Sequence, residues 1–163
     1  MTESINLKRF LDAQDGVTSI DRSRTAYEVA LKEILDGEKT SHWIWYIFPQ
    51  GPFGTSEMAK RYAIKSREEA TAFLQNQILR SRLLEITNAV ADKLSAGITP
   101  ETLMGSKIDC QKLASSMTLF EFIAAELDDR EFGSSAKNVL NKLDPHGWGR
   151  CTTTLDWLKT IRT

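Results

Sequence analysis

The residues best equipped for chemistry lie in two short stretches. Segment 41–51, SHWIWYIFPQG, sets His42 beside Ser41, Trp43 and Trp45 and closes on Pro49, Gln50 and Gly51. An imidazole desolvated by indoles is held near neutrality, so it could serve as general acid or base at pH 7 with Ser41 or Gln50 orienting it. A histidine bonded to backbone and packed like any core aromatic fits the same stretch. Trp43 and Trp45 offer a stacking platform for a planar ring such as a nucleobase, nicotinamide or adenine. Each indole N–H needs a partner when buried, which describes an ordinary core equally well.

The second stretch is Lys112 with Ser115 and Ser116, three and four residues later, a spacing that turns all three to one side of a helix. A desolvated lysine loses its proton more easily and can activate a serine, the logic of a Ser–Lys hydrolase. A lysine that bonds neighbouring hydroxyls or a helix end, with no chemistry, is the simpler reading. Between the two stands a polar pocket in which Lys112, Ser115 and Ser116 bind an anionic group. Lys60, Arg61, Lys65 and Arg67 gather near Tyr62 and suit a phosphate, but a solvated helix face explains them too. A net charge of −1 argues against a nucleic-acid partner. The turn Gly51-Pro52-Phe53-Gly54-Thr55-Ser56 leads into a helix at Glu57 whose free N–H groups could meet an anion.

Several chemistries lose their usual support. No phosphate-loop, dinucleotide-binding or G-x-S-x-G motif is present, so no cofactor is implied. His42 and His146 are the only histidines and lie far apart, so no metal site is expected. Cys110 and Cys151 are isolated thiols without C-x-x-C spacing, which suits a reducing, cytoplasmic setting. No apolar run approaches the roughly 20 residues a membrane-spanning helix needs, and MTESINLKRFLDAQDG has no signal-peptide core. Glu68-Glu69 and Asp128-Asp129 sit at expected helix starts, where the macrodipole accounts for them. Nothing in the chain sets an oligomeric state.

The elements that must position these residues read as helices, in a single all-α domain over 1–163. Leu7, Phe10 and Leu11 mark a first face, and Tyr27, Ala30, Leu31, Ile34 and Leu35 a second that stops at Gly37. Ser66 and Glu69 match a capping box ahead of Ala70, Phe73 and Leu74. Leu79 to Leu94 continue as a long amphipathic helix, and Thr99-Pro100-Glu101 opens a short one. Ser106 and Asp109 open a helix apolar on more than one face, carrying Leu113, Met117, Phe120 and Ala124 through the centre of the fold. Phe132 to Leu143 make another, broken by Pro145-His146-Gly147, and Thr153 is expected to cap a last one bearing Leu155, Leu158 and Ile161. Residues 42–48 fit either an extended segment wrapped by helices or a short buried helix.

These blocks together carry a resemblance. KTSHWIWYIFPQ, then SEMAKRYAI with a following EEA, then LRSRL and DCQKLASSMTLF, resemble a family of small bacterial and fungal proteins of unknown function, over most of the chain. The resemblance implies a compact, mainly helical fold and no particular reaction. The calpastatin-like label attached to some members would imply protease inhibition, which no residue here supports. The family pattern places an Asp a few residues before a Thr-Leu, where this chain has Cys151-Thr152-Thr153-Thr154-Leu155. Two functions are therefore expected to compete. One is a binding protein or enzyme for a small anionic aromatic, nucleotide-derived metabolite, with Trp43 and Trp45 stacking, His42 in proton transfer and Ser41, Gln50, Tyr62, Lys112, Ser115 and Ser116 lining the pocket. The other is a non-catalytic helical interaction module whose aromatic segment is core.

Overall fold

The computed structural model describes residues 5–17 and 21–161. Within them the regular structure is helical: α1 (Lys8–Asp15), α2 (Ala26–Leu35), α3 (Ile44–Ile47), α4 (Glu57–Arg61), α5 (Arg67–Gln75), α6 (Gln77–Ser95), α7 (Pro100–Met104), α8 (Lys107–Glu126), α9 (Arg130–Leu143) and α10 (Thr152–Thr160), with a 3₁₀ turn at Asp144–His146. Polar side chains start most of them. Thr25, Ser56, Ser66, Asn76, Thr99, Ser106 and Asp129 each accept a backbone N–H from the first turn they precede, satisfying donors that the helix itself leaves free.

Helix α8 runs through the middle. Every residue from Leu113 to Phe120 is buried, as are Ile123 and Ala124, so the all-round apolar character of that stretch reflects neighbours on several sides. α9, α5, α10 and α7 pack on it, and α6 bridges α9 and α2. Four rings run across the core in sequence. Phe10 meets Phe73 edge-on at 5.1 Å, Phe73 meets Phe120 at 5.2 Å, and Phe120 meets Phe132 at 6.4 Å, which ties α1, α5, α8 and α9 into one apolar body.

Residues 44–47 form a single helical turn rather than an extended segment. The physical reason is backbone satisfaction: no strand lies beside them among the described residues, so the turn bonds internally, with Phe48 N–H donating to the Ile44 carbonyl at 2.9 Å. Two expected caps differ from the structure. Ser66 accepts the Glu69 N–H, but Glu69 does not return the bond. Its carboxylate takes Arg9 at 2.9 Å and the Lys65 N–H at 3.1 Å instead, because the half-buried guanidinium from α1 offers a charge-assisted bond that draws the side chain away from the Ser66 N–H. Thr153 lies inside α10, which starts after Cys151 without a side-chain cap. The buried face of that helix is Thr154 and Leu158, while Leu155 is half-buried.

Gly105 closes α7 in the left-handed region, φ 82°, and a Cβ there would stand 2.7 Å from the Lys39 carbonyl oxygen. Glycine is thus required twice over, for its conformation and for the close approach of the chain before α3. Gly105→Ala is expected to lower unfolding free energy by about 2 kcal/mol or more, read from chemical denaturation midpoints.

Candidate functional site

The segment that carries the aromatic residues is held by two buried charges that precede it in the chain, Glu33 and Lys39. Glu33 sits on the apolar face of α2 between Val29, Ala30 and Ile34, and is itself buried. Its carboxylate accepts from the Thr40 N–H at 2.8 Å, the Ser41 N–H at 3.0 Å, the Ser41 hydroxyl, and Trp43 Nε1–H at 2.9 Å. Burial pushes the carboxyl pKa up, but the bonds from Ser41, Thr40 and Trp43 outweigh it and hold the group below its usual 4.5. Lys39 is buried as well. Its Nζ reaches Asp109 on α8 at 2.7 Å, donates to the Ser41 carbonyl at 2.5 Å, and lies 4.9 Å from the centre of the Trp43 ring. Its N–H donates to the Leu103 carbonyl at the end of α7 at 2.8 Å.

This anchoring decides where each chemically capable residue goes. Before α3 the chain bends at Ser41 and His42, and the bonds to Glu33 pin it on either side of His42. Ser41 and Trp43 turn inward to Glu33, and His42 between them is exposed. The expectation of a histidine desolvated by tryptophans is therefore corrected: His42 is neither buried nor bonded to a partner among the described residues, and it has no orienting contact with Ser41 or Gln50. Trp43 is 2% exposed, with its ring against Phe48 and its N–H spent on Glu33, which leaves no face for a ligand ring to stack on. Ser41 is likewise consumed by the carboxylate. Tyr62 is half-buried between Phe10 and Tyr46, and Gln50 is half-buried, its carbonyl taking the Ile64 N–H at 2.9 Å.

Trp45 and the α8 cluster do come together. Lys112 Nζ lies 5.0 Å from the centre of the Trp45 ring, and Ser116 follows four residues later on α8, about 6 Å along the axis. Lys112 forms no hydrogen bond or ion pair among the described residues. It is not bonded to Ser115 or Ser116, so the arrangement lacks the contact a Ser–Lys nucleophile needs. Ser115 Oγ instead shares a 2.8 Å hydrogen bond with Thr154 Oγ1 of α10. Trp45 Nε1 and Ser116 Oγ are both buried and both without a hydrogen-bond partner. The loop after α3 packs close by α10: a Cβ on Gly51 would stand 3.1 Å from Trp157, whose ring meets Phe53 edge-on at 5.7 Å.

Other expected features serve the fold or face solvent. Lys60, Arg61 and Lys65 are exposed, and Arg67 grips Glu126 with two bonds of 2.9 and 2.8 Å. α4, at five residues, is too short to make an anion site of its N-terminus. Two surface hollows lie on α5, around Arg67, Thr71 and Gln75, and between α8 and α9, around Ala124, Ala125 and Gly133. Neither is lined by segment 41–51 or by Lys112, Ser115 or Ser116. Burial pushes the Cys110 thiol up to about 12, so it stays protonated and unreactive. Among the described residues no three His, Cys, Asp or Glu side chains gather as metal ligands, and no helix is long and apolar enough to cross a membrane.

Glu33 and Lys39 are absent from the residues that sequence reasoning singles out. A signal existed for Glu33, an acid in register with Val29 and Ala30 on a buried helix face. None marked Lys39, whose partner Asp109 reads as an ordinary first-turn acid.

Fold and site define an all-α domain whose aromatic segment is fastened to two helices by buried ionic hydrogen bonds. The chain belongs to the family described as Protein of unknown function (DUF1810), whose model matches residues 4–144. It is similar to the conserved hypothetical protein Rv1873 from Mycobacterium tuberculosis, known from a crystal structure, at 33% identity and a TM-score of 0.74 over 94% of this chain and 96% of that one. No curated protein matches the chain.

Because the Glu33 carboxyl is held below 4.5 in the fold, its contribution to stability is complete above that value and is lost as pH falls through the folded pKa. Glu33→Ala leaves buried donors unpaired and is expected to cost about 3 kcal/mol at neutral pH, with a flatter acid limb than the parent in denaturation curves taken below pH 5. The two serines are expected to part company. Ser115→Ala breaks a buried pair and costs about 1 kcal/mol, whereas Ser116→Ala removes an unpartnered hydroxyl and leaves stability unchanged or up to about 1 kcal/mol higher.

Proposed function

We propose that this domain binds a small anionic metabolite, of the nucleotide-derived class, at the seam where α3 meets α8, with Trp45, Lys112 and Ser116 as the contacting groups and Ser115 and Gln50 at its edges. The observation that carries the reading is the surplus of donors there. Lys112, a half-buried residue, has only an aromatic face for company, and the N–H of that indole and the hydroxyl one turn further along α8 are buried without an acceptor. A buried polar group left unpaired costs about 1–3 kcal/mol, and a ligand that supplies acceptors recovers it on binding. His42, exposed at the surface, takes no part, and the reading is one of binding without a catalytic step. The two unpaired cysteines suit a cytoplasmic setting.

A second reading, a helical interaction module whose aromatic segment is core, has its own support. Trp43, Ile44, Ile47 and Phe48 are at most 2% exposed. The two readings divide at Trp45, the half-exposed ring of the segment that touches the α8 lysine.

Thermal-shift measurements with nucleoside monophosphates, NAD fragments and phosphosugars test this. A ligand that binds only the native state raises its stability, by roughly 2.7 kcal/mol at a hundredfold excess over Kd. At least one of these compounds is expected to raise the midpoint of the parent and not that of Lys112→Ala. Flat midpoints for the whole set at millimolar concentration would sink the ligand reading in favour of the interaction module.

A further inference from the structure

Within three residues of chain the structure makes one arrangement twice. Lys39 Nζ lies 4.9 Å from the centre of the Trp43 ring, and Lys112 Nζ lies 5.0 Å from that of Trp45. In the first pair both the ammonium and the indole N–H end on oxygen. The ammonium meets Asp109 Oδ2 at 2.7 Å and the Ser41 carbonyl at 2.5 Å, and the indole N–H meets Glu33 Oε1 at 2.9 Å. Two of those three acceptors are carboxylates. In the second pair the protein supplies none: Trp45 Nε1 is unpartnered, Ser116 Oγ one turn beyond Lys112 is unpartnered and 0% exposed, and Lys112 has no ion pair or hydrogen bond among the described residues.

The chemistry of these groups restricts what completes them. An indole offers one donor and no acceptor, and an ammonium offers three donors and no acceptor. An amide or a sugar hydroxyl would bring further N–H or O–H groups into a place already rich in them. A carboxylate or phosphoryl oxygen only accepts, and it forms the shorter, stronger, charge-assisted bonds. Ring recognition has little to work with. Trp43 is closed in the core, one face of Trp45 is covered by Lys112, and Tyr62 is committed to Phe10 and Tyr46.

Resting on the binding reading above, we infer that the part of the ligand recognised at this seam is an oxyanion, a carboxylate or a phosphoryl group, accepted by Trp45 Nε1–H and Ser116 Oγ–H with Lys112 providing the counter-charge, and that base stacking contributes nothing to its recognition. Trp45 and Lys112 are both half-exposed while Trp45 Nε1 and Ser116 Oγ are closed off from solvent, so the group enters as the lysine stem swings aside.

The indole N–H of Trp45 is a direct reporter. In ¹H–¹⁵N spectra of the full chain its signal is the one lost in Trp45→Phe. Titration with inorganic phosphate, acetate and adenosine monophosphate is expected to move it downfield and saturably, with the stronger of the first two identifying the oxyanion. Adenosine, which lacks one, leaves it in place. Ser116→Ala, which keeps the fold because it removes an unpartnered group, is expected to weaken the responding ion about tenfold, one charge-assisted hydrogen bond. If adenosine shifts the signal as strongly as its monophosphate, the oxyanion inference fails and the binding seam stands. If none of the four moves it, both fail. An undiminished response in Ser116→Ala overturns the assignment of the hydroxyl.

Discussion

The carboxylate of Glu33 is the constraint on which the aromatic segment depends. An ionised acid on the apolar face of a helix is costly unless its lone pairs are filled. Here they are filled by four donors from residues 40, 41 and 43. That requirement dictates the path of the chain after α2: it must fold back across its own helix, turn Ser41 and Trp43 inward, and begin α3 where Ile44 and Ile47 meet the core. Lys39 makes the same demand toward α8 through Asp109, and Gly105 lets the Lys39 backbone come close enough to satisfy it. Removing Glu33 strands four donors, and removing Lys39 strands the Asp109 carboxylate, the case in which such contacts matter most.

Apolar packing alone would not place α3. A four-residue helix has almost no stability of its own, since nucleation costs more than one turn returns, and a cluster of Phe, Ile and Leu tolerates many local arrangements. The phenylalanines that join α1, α5, α8 and α9 supply cohesion, and the ionic hydrogen bonds supply register. The contrast between the two tryptophans follows. Trp43 is bound into the register-setting network with every donor satisfied, and Trp45, two residues on, meets α8 through a lysine with no carboxylate. The similarity to a solved relative extends over almost the whole of both chains, so the helical fold is shared.

Much of the fold was legible because helix starts are local chemistry. Ser66, Thr99-Pro100 and Ser106 announce their helices through bonds that span three residues, and the all-round apolar pattern of 113–124 announces a central helix. The errors occurred where a distant residue competed for a local partner. Glu69 would have completed a capping box had Arg9 not reached it from α1. Thr153 sits in α10 without capping it, while Thr154 next to it is drawn inward to Ser115. His42 reads as buried because its neighbours in sequence are aromatic, yet Glu33 draws Ser41 and Trp43 inward and the bend between them leaves His42 outside.

By itself the sequence determined that this is an all-α domain, which segments are helical, and that Lys112, Ser115 and Ser116 share a face, since periodicity, capping and i,i+4 geometry act within a few residues. Only the tertiary structure decided which polar groups are spent and which are left over. Whether an indole N–H or an ammonium finds an oxygen depends on helices that arrive from elsewhere in the chain, as Glu33 and Asp109 do for Trp43 and Lys39, and as no carboxylate among the described residues does for Trp45 and Lys112. That difference is a matter of pairing across long sequence separations, which residue type and spacing do not encode.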